Sequence, residues 1–377
     1  MHLTIFLDQE RLDAEPHRFN AILERLCDAD HTINCIVPAD HGSRMIELDE
    51  SPDEDTHPNV TRYRIPMNVL PWTRRLVARR IAETLEPNGT EVIWALGTDS
   101  WQVASDVARR MECPVALDVW CPAVARRAVR LRGAPIASYM VPTRALADWM
   151  RERVDPDIVS LVPPGVSDGQ TTEFGLSAMN DGPICLGIIG RGRDASAYAA
   201  LLGGVRQVVS EYSAVQLFME LAGRAEHEIW RQVQHLDLLD RTSTFTSAVG
   251  VRTLVARCHA LLLPERYGEI NTIMLEAMRD GVPIIASADP ALAGIVDQET
   301  ALLVEDQSAT AWAHQLRHLL GHLDEVELLA REAANRVRTA YRLDRQVEIL
   351  TGTFERMVRG DAFEFGRAPA AGLSDEG

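Results

Sequence analysis

LLLPERYGEINTIMLEAMRDGVPIIAS, residues 261–287, reads as a buried strand, a polar loop, a short helix and a second buried strand. Leu261, Leu262 and Leu263 form an apolar run halted by Pro264, the pattern of a parallel strand covered on both faces. Asn271 is placed to cap the helix, whose apolar positions are Ile273, Leu275, Ala277 and Met278. Gly281 falls where a helix ends in a left-handed residue, and Val282-Pro283-Ile284-Ile285-Ala286 begins the next strand. Glu276 lies among apolar neighbours in a helix that opens just past a strand's carboxyl end, where open α/β sheets bind ligands. The amides at that helix start suit an anion, and a carboxylate there can accept hydrogen bonds from sugar hydroxyls.

Outward from this segment, strand and helix patterns alternate. Strands are expected at 3–7, 32–37, 91–96, 115–119, 136–141 and 159–162, with helices at 16–27, 72–85, 98–111 and 143–153 between them. The stretch 47–58, ELDESPDEDTHP, is acidic and poor in apolar residues, so it reads as a solvated excursion. A loop-rich connection runs from Pro163-Pro164-Gly165-Val166 to Met179-Asn180, where Gly165 marks a turn or a hinge. A second α/β unit follows, with strands at 184–189, 215–221, 242–245 and 301–304 and helices at 195–212, 226–236, 251–258, 309–320 and 323–341. The expected domains are 1–168 and 181–343, then a helix at 344–358 and a small, polar tail at 368–377 expected to be disordered. The fold class is α/β, with two doubly wound parallel sheets.

Length and composition allow this. The 377 residues suffice for two cores, and 46% hydrophobic with 25% charged residues is the balance of a water-soluble globular chain. No apolar run approaches the roughly 20 residues needed to span a bilayer. The start, MHLTIFLDQE, lacks a basic region before its apolar residues, so no signal peptide is expected. Six scattered cysteines without a CxxC pair read as reduced core thiols, and the histidines form no ligand-spaced cluster; both fit a cytoplasmic protein without structural metal. A net charge of −17 argues against nonspecific nucleic-acid binding. Every strongly basic side chain is arginine, and arginines outnumber acids between Arg62 and Arg153, with runs at Arg74-Arg75, Arg79-Arg80, Arg109-Arg110 and Arg126 to Arg132. These runs are solvated helix faces or, alternatively, a basic face for an anionic acceptor or the inner face of a membrane.

The segment 261–287 resembles the sugar-nucleotide loop of the family-four (group 1) glycosyltransferases, which have the GT-B fold: two Rossmann-like domains facing a cleft. Pro264, Ile270-Asn271, Glu276-Ala277-Met278, Gly281 and Pro283 fall in the family's register. The first glutamate of the family's pair would stand at position 268, which is Gly268, with Glu269 beside it, and the family's serine is Glu265. Ile188-Ile189-Gly190-Arg191 looks like the family's Gly-Arg element, whose arginine reaches the donor diphosphate with a two-pronged guanidinium. The lysine usual five residues later is Ser196, and Arg193 on the same loop is a substitute.

The resemblance implies a retaining, metal-independent glycosyltransferase of hexosyl type that needs no cofactor. Its substrate would be a nucleoside-diphosphate sugar and its acceptor a glycan, a lipid or a small molecule. In that reading Arg191 and Arg193 hold the diphosphate with the helix start at Asn271-Thr272, Glu276 holds the ribose, and Gly268, Glu269 and Ile270 shape the donor-sugar loop. For Glu269 two outcomes stand: Gly268 lets the loop absorb the one-residue shift, or donor-sugar recognition is altered. Asp118, at a strand end in the first domain, either polarises an acceptor hydroxyl or caps a helix. The family's paired glycines after the first strand are replaced by Asp8-Gln9-Glu10-Arg11-Leu12-Asp13, which adds acids where a diphosphate would approach. These departures motivate a second reading, a non-catalytic GT-B module that binds a nucleotide or partner without turnover.

Overall fold

The computed structural model describes residues 1–39, 47–48, 57–65, 71–131, 133–169, 182–212, 214–221, 223–245, 248–266, 268–292 and 299–360. Arg132, the tail 368–377, most of the acidic stretch and the later part of the connection before the second unit lie outside them. The chain divides into two compact units, Met1–Pro163 with the chain from Gln346 onward, and Pro164–Arg345.

The first unit carries strands β1 (His2–Leu7), β2 (Thr32–Pro38), β3 (Glu47–Leu48), β4 (Val60–Ile65), β5 (Val92–Leu96), β6 (Val115–Asp118), β7 (Ile136–Val141) and β8 (Val159–Leu161). Their order is β3-β4-β2-β1-β5-β6-β7-β8. Every ladder is parallel except β3 against β4. Central strands β5 and β7 are buried at every position, which is why they read as near-continuous apolar runs, with Ser138 the one polar interruption. Helices α1 (Gln9–Ala14), α2 (Pro16–Asp28), α3 (Pro71–Leu85), α4 (Trp101–Met111), α5 (Pro122–Ala128) and α6 (Arg144–Arg151) make the connections.

Four of these elements depart from the sequence reading. Glu47–Leu48, at the head of the stretch read as a solvated excursion, form strand β3 against β4. Strand β4, VTRYRI, is half-exposed at most positions and carries Arg62 and Arg64, so it lacks the apolar run of its neighbours. Residues Gln9–Ala14, read as a loop, are helix α1, because the Asp8 side chain accepts a hydrogen bond from the Arg11 amide and caps it. Helix α5 hides in an arginine run: Val124, Ala125 and Ala128 face inward while Arg126 and Arg127 stay in water.

The second unit carries six parallel strands: β9 (Ile184–Ile188), β10 (Val215–Glu220), β11 (Thr242–Phe245), β12 (Ala260–Leu263), β13 (Ile284–Ser287) and β14 (Leu302–Val304). Their order is β11-β10-β9-β12-β13-β14. Helices α7 (Ala195–Val208), α8 (Glu226–His235), α9 (Ala248–Val255), α10 (Thr272–Arg279), α11 (Ala309–Gly321) and α12 (Leu323–Ala340) complete it. Leu261 and Leu262 are fully buried, worth about 1.5–3 kcal/mol each by area removed from water. Asn271 caps α10 through the Ile273 amide at 2.9 Å, and Gly281 follows that helix with φ +77°. The chain leaves β9 toward β10 on one side, while β12 lies on the other. The carboxyl ends of β9 and β12 therefore form the switch point where such sheets hold ligands.

Gly165 is neither turn nor positive-φ residue. Val166 pairs with Arg342, and a Cβ at Gly165 would stand 2.5 Å from the Arg342 carbonyl oxygen, so the glycine permits a close backbone approach. The last helix, α13 (Leu343–Arg359), groups with the first unit from Gln346 onward. Its Phe354 ring lies 5.9 Å from Trp94, and Thr351 Oγ1 lies 3.2 Å from His31 Nε2.

Candidate functional site

Two loops meet at the switch point of the second unit. One follows β9 and carries Gly190, Arg191, Gly192, Arg193 and Asp194; the other follows β12 and runs from Pro264 to Asn271. The second loop is tied down from the neighbouring strand. Ser287 Oγ donates to the Pro264 carbonyl, and Gln307 Nε2 donates to Ser287 Oγ. The Asp289 carboxylate accepts from the Gly268 amide at 2.6 Å and from the Ala291 amide at 2.9 Å. Gly268 has φ +66°, a left-handed conformation that glycine adopts without a Cβ penalty. With Gly268 so turned and fastened, the adjacent Glu269 side chain reaches back and forms an ion pair with Arg191. Ile270 packs into the core, and Thr272 is buried in the first turn of α10.

The first loop is held by Glu265. Its Oε1 accepts from the amides of Arg193 at 2.6 Å and Asp194 at 2.7 Å, and its Oε2 from Gly192 at 3.1 Å. Burial raises the proton affinity of Glu265 above the usual carboxylate range, while these backbone donors pull it back down. Glu220 at the end of β10 is likewise raised by burial and opposed by the Gly190 amide and the Arg191 charge. Asp194 caps α7 through Ser196 and Ala197, and its bond with the Ser196 hydroxyl lowers its pKa.

Glu276 is engaged on the side of α10 that faces α9. Its Oε2 accepts from Arg252 Nε at 2.6 Å. The pair lines a surface pocket of about 170 Å³ with Val255, Ile273 and Asp280 among its walls. The structure thus brings Arg191 and Glu269 into contact, sets Arg193 and Gly268 in the two loop backbones beside them, and pairs Glu276 with a cation from the neighbouring helix.

Asp118 belongs to the first unit and caps no helix: Cys121 occupies the cap position of α5. It instead lies 3.4 Å from the Arg11 guanidinium, which also sits 4.6 Å from the Trp120 ring centroid and 5.5 Å from that of Phe19. Burial raises the Asp118 pKa, with Arg11 and then Arg18 opposing. Among the described residues no group of three or more His, Cys, Asp or Glu side chains is placed to hold a metal ion, and all six cysteines are free thiols. No helix among them is long and apolar enough to cross a membrane.

Residues 184–322 match the family profile described as "Glycosyl transferases group 1". The match lies wholly within the second unit. A search of curated proteins finds no match. Solved structures share the fold over most of the chain. The sucrose-phosphate synthase of Thermosynechococcus elongatus aligns with TM-score 0.75 at 15% identity, over 96% of this chain and 100% of its own. HepE of Anabaena, solved with UDP and glucose, aligns with TM-score 0.76 at 12% identity, over 94% and 99%. A glycosyltransferase of Rickettsia africae aligns with TM-score 0.72 at 13% identity, over 95% and 98%. The chain has the GT-B fold of these proteins.

Within the second unit, sequence reasoning overlooked four residues that organise the site: Glu265, Asp289, Glu220 and Arg252. Glu265 had a visible signal, an acid directly after a buried strand where the resemblance expects serine. Gly190 added to it, since a Cβ there would stand 2.7 Å from Glu265 Oε2. Asp289 and Arg252 had none, because their partners lie 21 and 24 residues away on other elements.

Proposed function

We propose that the chain is a retaining, metal-independent glycosyltransferase that moves a hexosyl group from a nucleoside-diphosphate sugar to an acceptor. The observation that carries this reading is the position of Arg191 and Glu269. They form one ion pair at the carboxyl ends of adjacent strands, inside the unit that matches the group 1 profile. A uridine donor is the first choice, because HepE was solved with UDP-glucose.

In this reading the diphosphate draws the Arg191 guanidinium away from Glu269 and is met by Arg193 and the amides at the start of α10. The freed Glu269 carboxylate then faces the donor sugar. Glu276, oriented by Arg252, accepts hydrogen bonds from the ribose hydroxyls. Departure of the diphosphate is eased by fixed positive charge rather than by a metal ion. Asp118 is assigned to holding Arg11 and not to acceptor activation, since its carboxylate is engaged by that guanidinium.

The acceptor belongs to the first unit, whose exposed arginines favour an anionic or membrane-associated molecule. Trp72, Arg75, Leu76 and Arg79 all lie on the exposed face of α3, with Trp72 76% and Leu76 54% exposed. Such a face suits peripheral contact with an anionic inner membrane surface.

Incubation of the full chain with UDP-glucose, with and without acceptor mixtures, is expected to release UDP, and Glu276→Ala to weaken donor binding about ten- to a hundredfold. Absence of a thermal shift with any nucleotide or nucleotide sugar would sink the reading. A second reading, a module that binds without turnover, draws on the fact that Arg191 and Glu269 engage each other. A thermal shift without release or transfer of sugar would favour it.

A further inference from the structure

Three consecutive amides, those of Gly192, Arg193 and Asp194, converge on the one carboxylate of Glu265. Gly192 has φ +57°, the left-handed turn that lets successive N–H groups point into a common concavity and accept an anion. Gly190 keeps the wall of that concavity clear, since a Cβ there would come within 2.5 Å of the Tyr198 hydroxyl as well as 2.7 Å of Glu265. That hydroxyl is fully buried. Glu265 comes from the loop after the neighbouring strand, 73 residues from Gly192 along the chain. It is therefore a tertiary occupant and not a local cap.

We propose that Glu265 is an intramolecular competitor for the phosphate site: its carboxylate fills the amide concavity at Gly192–Asp194 and must be displaced before a ligand diphosphate can occupy it. The inference rests on the nucleotide-sugar reading for the identity of that ligand. A tethered carboxylate acts at high effective concentration, so it holds the amides against dilute phosphate. The other charges around the loop reinforce the exclusion. Glu220 and Glu265 repel each other, Glu269 occupies Arg191, and Asp194 adds a further carboxylate at the start of α7. An arriving diphosphate that left Glu265 in place would meet the like charge of that carboxylate, with Glu220 and Asp194 nearby. Displacement relieves this, because the phosphate then takes over the three amides and Arg191 together. The wild-type protein should accordingly hold diphosphate weakly in the absence of the sugar and acceptor contacts that help to pull the loop over.

The test is titration calorimetry of inorganic pyrophosphate and of UDP into the full chain, comparing wild type with Glu265→Gln, Glu265→Ala and Glu276→Gln. Glu265→Gln keeps the side-chain shape and the oxygen that receives Arg193 and Asp194, so it guards against loss of the fold. Both Glu265 variants are expected to bind pyrophosphate about tenfold more tightly than wild type or better. Pyrophosphate should also raise the Tm of Glu265→Ala more than that of wild type, because the ligand replaces the missing carboxylate. Equal or weaker pyrophosphate binding by both variants, with native circular dichroism, overturns the proposal and makes Glu265 a support of the binding loop. The two readings separate cleanly. Tighter pyrophosphate binding without UDP binding by any protein keeps the competitor and removes the nucleotide. UDP binding that depends on Glu276, with no gain in the Glu265 variants, does the reverse.

Discussion

Each unit of the chain places a carboxylate against backbone amides just beyond a central strand, and the two arrangements differ in where the acid comes from. After β1, Asp8 accepts from the Arg11 amide at 2.9 Å and from the Asp99 amide at 3.2 Å. It is local, it caps the helix that follows it, and Gly97 gives it room: a Cβ there would lie 1.9 Å from its carboxyl carbon. After β9, the acid is Glu265 from the loop beyond another strand, and it faces a loop with two arginines. Burial raises the pKa of both acids above the ordinary range, with backbone donors opposing in each case. The same chemistry is thus a finished structural joint in the first unit and an exchangeable contact in the second. Asp8, the first of the acids after β1, thus serves the helix cap.

Breaking the finished joint should cost most. The Arg11 side chain sits 5% exposed between Asp118, Phe19 and Trp120, so Arg11→Met takes the nearest cation from a largely buried carboxylate and leaves only Arg18 to oppose its burial. A loss of about 3–5 kcal/mol in urea denaturation is expected. Asp8→Ala should cost about 1–3 kcal/mol by stranding two amides, and it should bring no gain in pyrophosphate affinity, in contrast to Glu265→Ala. A gain in both would erase the distinction between the two joints.

The smallest effect concerns Glu220. Burial raises its pKa above the ordinary carboxylate value, so the native state holds this proton more tightly than the unfolded chain. Its contribution to stability therefore falls as pH rises from the ordinary value through the raised one, and is restored on acidification. Glu220→Gln should flatten that part of the stability profile and be slightly more stable than wild type at neutral pH. A steeper profile in the variant would contradict the assignment.

Much of this arrangement was legible in the sequence, and the limit follows from physics. Strands buried on both faces announce themselves as apolar runs, as in β5, β7 and β12, and Asn271 and Gly281 mark the ends of α10 by chemistry that acts within a few residues. Elements whose burial is partial, such as β4 with Arg62 and Arg64, give no such run. The Gly-Arg element and the acid pair were readable as a motif, so Arg191, Glu269 and Glu276 could be named. Their partners could not. Glu265 with Gly192, Asp289 with Gly268, and Arg252 with Glu276 are contacts made by the sheet order, and nothing within a short window of sequence specifies them.

The most direct test of the central claim is the affinity of UDP for the wild-type chain and for Arg191→Gln, measured by titration calorimetry under the same salt conditions. The account predicts saturable binding to wild type that weakens about ten- to a hundredfold in the variant, as expected when a charge-assisted contact to phosphate is lost. Equal affinity in the two proteins, or no binding to either, would contradict it.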